Sequence, residues 1–249
     1  MRSPETPAVE QNAARPERYK TLRKLIAPAA AALAVTACLP ASSAWTGPEN
    51  GIKVALVGDS QLDQAQKNPA QPGGDPISRL HALGFTTSYS FNTGACIGDT
   101  QDEYYCNNPT SFQGFPAPNE DIDVSVTALG TNDNKINPAT GEPIILFSQS
   151  TANYEAHLNE TGAECDVIVG IVETDNPEWG LNITGPVFNN YLRDLAVLRN
   201  GVYIDWAAEV AANPSYVGSD GVHQTAEGKG AYLDNIEQGV QECAAKIAA

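Results

Sequence analysis

The sequence predicts an α/β domain, a three-layer α/β/α sandwich built on a mostly parallel five-stranded sheet. Apolar runs suited to strands alternate with helix-like stretches from residue 52 to the end of the chain, the pattern of successive βαβ units. The first of these runs is almost continuously apolar, as in a strand buried on both faces. The chain has 249 residues, of which 42% are hydrophobic and 18% charged, an ordinary globular composition with length enough for a sizeable core.

Taken in order, residues 52–57 form the first strand, interrupted only by Lys53. Pro76 to Leu83 reads as a helix stopped by Gly84, and 85–91 as the second strand. Residues 122–129 give the third strand and 145–158 the next helix. The fourth strand, 166–172, precedes a helix over 187–198; the fifth, 202–206, precedes a last helix over 225–247. No internal repeat is visible. In a parallel sheet all strand carboxyl ends lie along one edge, where ligands bind. The polar loops that follow the strands should therefore converge: Gly58-Asp59-Ser60, Asn92-Thr93-Gly94, Gly130-Thr131-Asn132-Asp133, Glu173-Thr174-Asp175 and the stretch from Ser219 to His223.

These loops hold the parts of an acyl-transfer site. Ser60 follows a buried strand and a glycine, so its hydroxyl can serve as nucleophile if a base takes its proton; capping the next helix is the plainer use of such a serine. His223 is the natural base, and Asp220, three residues earlier, can orient its ring, although the same loop would equally cap the helix that follows. A developing oxyanion needs preorganised N–H donors, which the backbone of Ser60, the backbone of Gly94 and the Asn132 amide can supply. Gly94 and Asn132 are also ordinary turn residues when taken singly.

Appearing in this order, Val57-Gly58-Asp59-Ser60, Asn92-x-Gly94, Gly130-Thr131-Asn132-Asp133 and Asp220-Gly221-Val222-His223 resemble the four blocks of the SGNH hydrolases, the GDSL esterase and lipase family, over residues 52 to about 240. The resemblance implies a flavodoxin-like SGNH fold with Ser60 as nucleophile, His223 as base and Asp220 as its partner. It further implies Ser60, Gly94 and Asn132 as oxyanion hole, and Asp133 in a structural role. Gln61, where a leucine often follows the serine, and Cys96-Ile97-Gly98 depart from the family pattern without touching these groups. The insert from Gln101 to Glu120, with Cys106, Phe112 and Phe115, and the segment from Glu173 to Pro186 are individual to this chain. Within the second, Trp179 is read first as a packing aromatic and second as a wall of an acyl or sugar site.

The expected activity is hydrolysis of carboxylic esters of small molecules or glycans, with a short acyl group, through an acyl-enzyme and without metal or organic cofactor. Acyl transfer by the same triad and a non-catalytic, lipid-anchored binding module are the alternatives. A G-x-S-x-G elbow, a phosphate-binding P-loop and an H-E-x-x-H helix are all missing from the sequence. Asp99, Asp102 and Glu103 do not match a calcium loop and read as a solvated face. A formal net charge of -16 argues against nucleic acid as partner.

Residues 1–44 differ from the rest, with six basic and three acidic side chains. They carry +3, leaving -19 on residues 45–249. The basic stretch runs into an Ala-rich apolar segment too short for a span of ~20 residues, which reads as a bacterial export signal ahead of a catalytic domain over 45–249. Ser42-Ser43-Ala44 offers ordinary cleavage and secretion. Val35-Thr36-Ala37-Cys38 resembles a lipobox, whose lipidated Cys38 would be the one link to a membrane. The four remaining cysteines fit an oxidising compartment. Of their three pairings, Cys96 with Cys106 and Cys165 with Cys243 is favoured, since one closes a short loop and the other ties a strand to the last helix.

Overall fold

In a computed structural model of the chain, residues 45–48, 51–67, 74–97 and 121–249 are described. The expected export signal, the acidic cluster at Asp99, Asp102 and Glu103, and the insert with Cys106 lie outside them. Five strands, β1 (Lys53–Gly58), β2 (Thr86–Phe91), β3 (Val124–Ala128), β4 (Cys165–Val169) and β5 (Val202–Ile204), pair in the order β2-β1-β3-β4-β5, every pairing parallel. Six helices connect and cover them: α1 (Ser60–Lys67), α2 (Pro76–Ala82), α3 (Phe147–Thr161), α4 (Leu181–Leu198), α5 (Trp206–Ala212) and α6 (Ala226–Ile247).

Side chains alternate across the strands and so feed two cores. Val54, Leu56, Val124, Val126 and Val167 pack on one face with Leu62, Leu80, Trp206, Leu233 and Val240 from α1, α2, α5 and α6. Ala55, Val57 and Ile168 pack on the other with Tyr154, Leu158, Phe188 and Leu192 from α3 and α4. This is the expected three-layer sandwich. Cys165 at the start of β4 is joined to Cys243 of α6, tying the sheet to its covering helix. Cys96 is likewise disulfide-bonded, while Cys106, its expected partner, lies outside the described residues.

Several boundaries depart from expectation. Residues 202–206 do not run as strand to Trp206: the Asp205 side chain accepts from the Ala208 N–H at 3.2 Å and starts α5 there, with Trp206 buried in the core. The fourth strand stops at Val169 rather than 172, and the helix expected from 187 begins six residues earlier at Leu181, whose side chain is buried. Pro186 lies inside that helix.

Candidate active site

The turn after β1 is tight because nothing larger than a hydrogen fits at Gly58: a Cβ there would meet Leu62 Cδ1 of α1 at 2.6 Å. Asp59 then caps the helix, accepting from the Gln61 N–H at 3.0 Å. Ser60 is thereby released from the capping role; it is buried, and its Oγ lies 2.9 Å from Nε2 of His223.

His223 arrives on the loop between α5 and α6. Asp220 Oδ1 accepts from the N–H groups of Val222 and His223, each at 3.0 Å, and its Oδ2 lies 2.5 Å from His223 Nδ1. One carboxylate thus folds the loop and fixes the ring. Gly221 has φ +71°, and a Cβ on it would meet Thr174 Oγ1 at 2.1 Å, so glycine lets this loop seat on the one after β4. Asn176 completes the contact, donating from Nδ2 to the Asp220 carbonyl at 3.0 Å. From the other side, Gln224 Nε2 donates to Gln61 Oε1 of α1 at 2.6 Å.

The loops after β2 and β3 lock together. Asn92 donates from its backbone to the Gly58 carbonyl at 3.0 Å, and the turn from Asn92 to Ala95 carries Gly94 at φ +76°. Asn132 Nδ2 donates one N–H to the Ala95 carbonyl at 2.8 Å, which aims the amide and leaves it a second donor. Both oxygens of Asp133 accept from the Ile97 N–H at 3.1 Å, the structural role expected of it. Neither Ser60 nor Gly94 uses its backbone N–H on another group of the described residues. Ser60, His223 and Asp220 therefore form one hydrogen-bonded chain, and Gly94 and Asn132 stand on the two loops that flank the Ser60 turn.

Burial pushes the Asp220 carboxyl upward, but the hydrogen bonds from His223 and from the two loop N–H groups outweigh it and hold the group below the ordinary carboxylate value. Asp220 is thus an anion, which keeps the proton of neutral His223 on Nδ1 and presents Nε2 as acceptor for the Ser60 hydroxyl. Deeper in the sheet edge, burial raises Asp59 to about 6 against hydrogen bonds from Gln61 and Thr131 and the charges of His223 and Lys135. Burial likewise raises Asp133 to about 7, opposed by the Ile97 N–H and reinforced by Asp59.

Three residues at the site had no signal in the sequence reading or only part of one. Trp179 and the His223 ring meet in a T-shaped contact, with ring centres 5.9 Å apart at 76°, and Lys135 sets its ammonium 4.1 Å from the centre of the same indole. The indole is half-buried against the core formed by α3 and α4, and one of its faces is taken by the lysine, so it is a packing residue and a wall of the site at once. Lys135 and Asn176 carry no sequence signal, because their roles depend on loop-to-loop packing rather than spacing. Beyond this edge, a cleft of about 620 Å³ opens between the loop after β4 and the stretch from Val217 to Gly221. Among the described residues no helix is long and apolar enough to cross a membrane, and no three His, Cys, Asp or Glu side chains are grouped to hold a metal.

No protein-family model matches the chain, and no curated protein matches it. Solved structures do. An acetyl-xylooligosaccharide esterase from Geobacillus stearothermophilus, in a variant form, is 17% identical with a TM-score of 0.56, over 78% of this chain and 95% of that one. A member of the lipolytic G-D-S-L family from Veillonella parvula is 14% identical with a TM-score of 0.53, over 75% and 96% of the two chains. A GDSL-like lipase from Bacteroides thetaiotaomicron is 12% identical with a TM-score of 0.52, over 77% and 88%. At these identities the likeness establishes a shared fold.

Proposed function

We propose that this chain, which has the fold of the SGNH and GDSL hydrolases, is an exported serine esterase acting on carboxylic esters through an acyl-enzyme on Ser60. The supporting observation is the hydrogen-bonded chain from Ser60 Oγ through His223 to Asp220, with distances of 2.9 and 2.5 Å. His223 Nε2 takes the hydroxyl proton as Oγ bonds to the ester carbonyl carbon. The carbonyl oxygen becomes an oxyanion, received by the N–H groups of Ser60 and Gly94 and the free N–H of Asn132. The intermediate expels the alcohol, which leaves with the proton from His223. Water then attacks the acyl-enzyme with its proton going to His223, and Ser60 departs with that proton as the carboxylic acid forms. Asp220 holds the imidazolium throughout.

A short acyl group such as acetate, carried on a carbohydrate, is the proposed substrate. The acetyl-xylooligosaccharide esterase of the same fold favours this, and the Trp179 indole beside His223 offers a sugar ring an aromatic wall. Export follows from the basic and apolar leader of the sequence and fits the Cys165–Cys243 disulfide. The test is hydrolysis of a chromogenic acetyl ester and labelling by a serine-directed phosphonate. Both should be seen with the wild type, and Ser60→Ala should lower kcat by ~10⁴-fold or more and abolish labelling. Full activity in Ser60→Ala would exclude this nucleophile.

A further inference from the structure

Lys135 carries a charge that the reaction above does not use. It leaves the loop after β3 three residues beyond Asn132, and its side chain is half-buried. Its ammonium rests on the Trp179 ring, which in turn lies against His223, so the cation is at most about 10 Å from the imidazole centre. Elsewhere in the described residues, Lys67, Arg79, Arg193 and Arg199 each meet a carboxylate, and Lys246 meets two backbone carbonyls. Among the described residues Lys135 meets neither, and nor does Lys53, which lies 5.7 Å from the centre of the Trp45 ring, well away from the sheet edge that holds Ser60; the chain has 30 acidic residues against 14 basic ones. The Asp59 carboxyl acts on it only through space; that group is buried beside Ser60 and engaged by Gln61 and Thr131.

Burial lowers the proton affinity of Lys135 against the pull of Asp59, which is the cost of taking an ammonium out of water without a hydrogen-bonded counter-charge. A ring face returns part of that cost; a hydrogen-bonded anion would return more. The large negative charge of the protein does not remove this attraction. At physiological ionic strength exposed charges are screened beyond ~8 Å, whereas a half-buried cation is screened much less. Within the site, the Asp220 and Asp59 carboxyls are already engaged by hydrogen bonds, whereas the Lys135 ammonium rests on a ring.

We propose that Lys135 is the recognition point for a carboxylate carried by the ester substrate, so that the site selects acidic esters over neutral esters of the same shape. This rests on the esterase reading. The distance limits the carboxylate to the first few bonds on either side of the scissile ester. It sits either on the alcohol, as in an acetylated acidic sugar, or on the acyl group, as in a dicarboxylic monoester.

Two matched pairs separate these sources: phenyl acetate against 3-acetoxybenzoate for the alcohol side, and phenyl butyrate against phenyl hydrogen succinate for the acyl side, with spontaneous hydrolysis subtracted. The wild type should prefer the charged member of one pair by ~10- to 100-fold in kcat/KM, expressed mainly in KM, as expected of a charge-assisted hydrogen bond that persists from substrate to transition state. Lys135→Met, which keeps a long side chain on the indole, should bring that ratio close to one, and Lys135→Arg should restore most of it. Thermal unfolding of each variant reports whether the fold is intact; should Lys135→Met fail to fold, the wild-type ratios and Lys135→Arg still decide. Turnover of the neutral esters with no charge preference in either pair, or a preference that Lys135→Met leaves unchanged, would overturn this inference alone. If the wild type hydrolyses none of the four esters, the esterase reading falls and this inference with it.

Discussion

Replacing His157 should alter how the protein responds to acid. This histidine lies on the sheet-facing side of α3 with Tyr154 and Leu158; it is 6% exposed, and its Nε2 has no hydrogen-bond partner among the described residues. Burial alone pushes its pKa from 6.5 to about 4. Between those values the unfolded chain binds the proton and the folded one does not, so acid favours unfolding: stability is full above 6.5, declines as pH falls, and the loss is complete near 4. Each tenfold change in proton affinity is worth ~1.4 kcal/mol, so the whole effect is about 3 kcal/mol, most of which is lost by pH 4.5. The assay is urea unfolding of wild type and His157→Leu, disulfides intact, at pH 7.5 and 4.5. At the higher pH the leucine should be near neutral or stabilising, because it replaces an unpaired polar atom. At the lower pH it should exceed the wild type by about 2 to 3 kcal/mol more. The carboxyls of Asp59 and Asp133 titrate in the same range, but both proteins share them and they cancel in this double difference. A double difference below ~0.5 kcal/mol would refute the burial argument.

Three further outcomes are expected. Asn132→Ala should lower kcat by ~100- to 1000-fold through loss of one oxyanion donor, with phosphonate labelling of Ser60 slowed but present. Asp133→Asn should flatten the pH dependence of stability seen by thermal unfolding: the raised carboxyl contributes stability below 3.8 that is lost as pH rises through about 7, and the amide has no such titration. Breaking the Cys165–Cys243 bond with a double serine variant frees a loop spanning 78 residues and should cost about 4 kcal/mol by the chain-entropy estimate, read as a drop of roughly 8–16 °C in Tm.

The three central strands β1, β3 and β4 were legible because each is a largely apolar run that the sheet buries on both faces, as Val54 to Val57 show. Helix α1 was not delimited, since Ser60–Lys67 offers only Leu62 and Ala65 as buried apolar residues and depends on the Asp59 cap and the close approach to Gly58. The early start of α4 was hidden by Pro186, which reads as a boundary yet lies well inside the helix, where burial of Leu181 fixes the beginning. At the site, Ser60, Gly94, Asn132, Asp220 and His223 follow from which loops a parallel sheet brings to one edge. Lys135 and Asn176 do not, because a lysine over an indole and an amide on a neighbouring loop's carbonyl are facts of side-chain packing that no periodicity records.

The order of the strands divides the labour of the site between two kinds of support. Ser60, Gly94 and Asn132 spring from three adjacent strands at the sheet centre and one side, whereas Asp220 and His223 come in from beyond the outermost strand on the other. That arm is moored by the Asn176 amide, by the seat of Gly221 on Thr174 and by the Gln224 bridge to Gln61. Loosening those moorings would withdraw the proton carrier while the scaffold that receives the charge stays whole. If the esterase reading holds, silencing and melting are expected to be separate events, and mild denaturant should extinguish turnover at doses that leave the sheet standing.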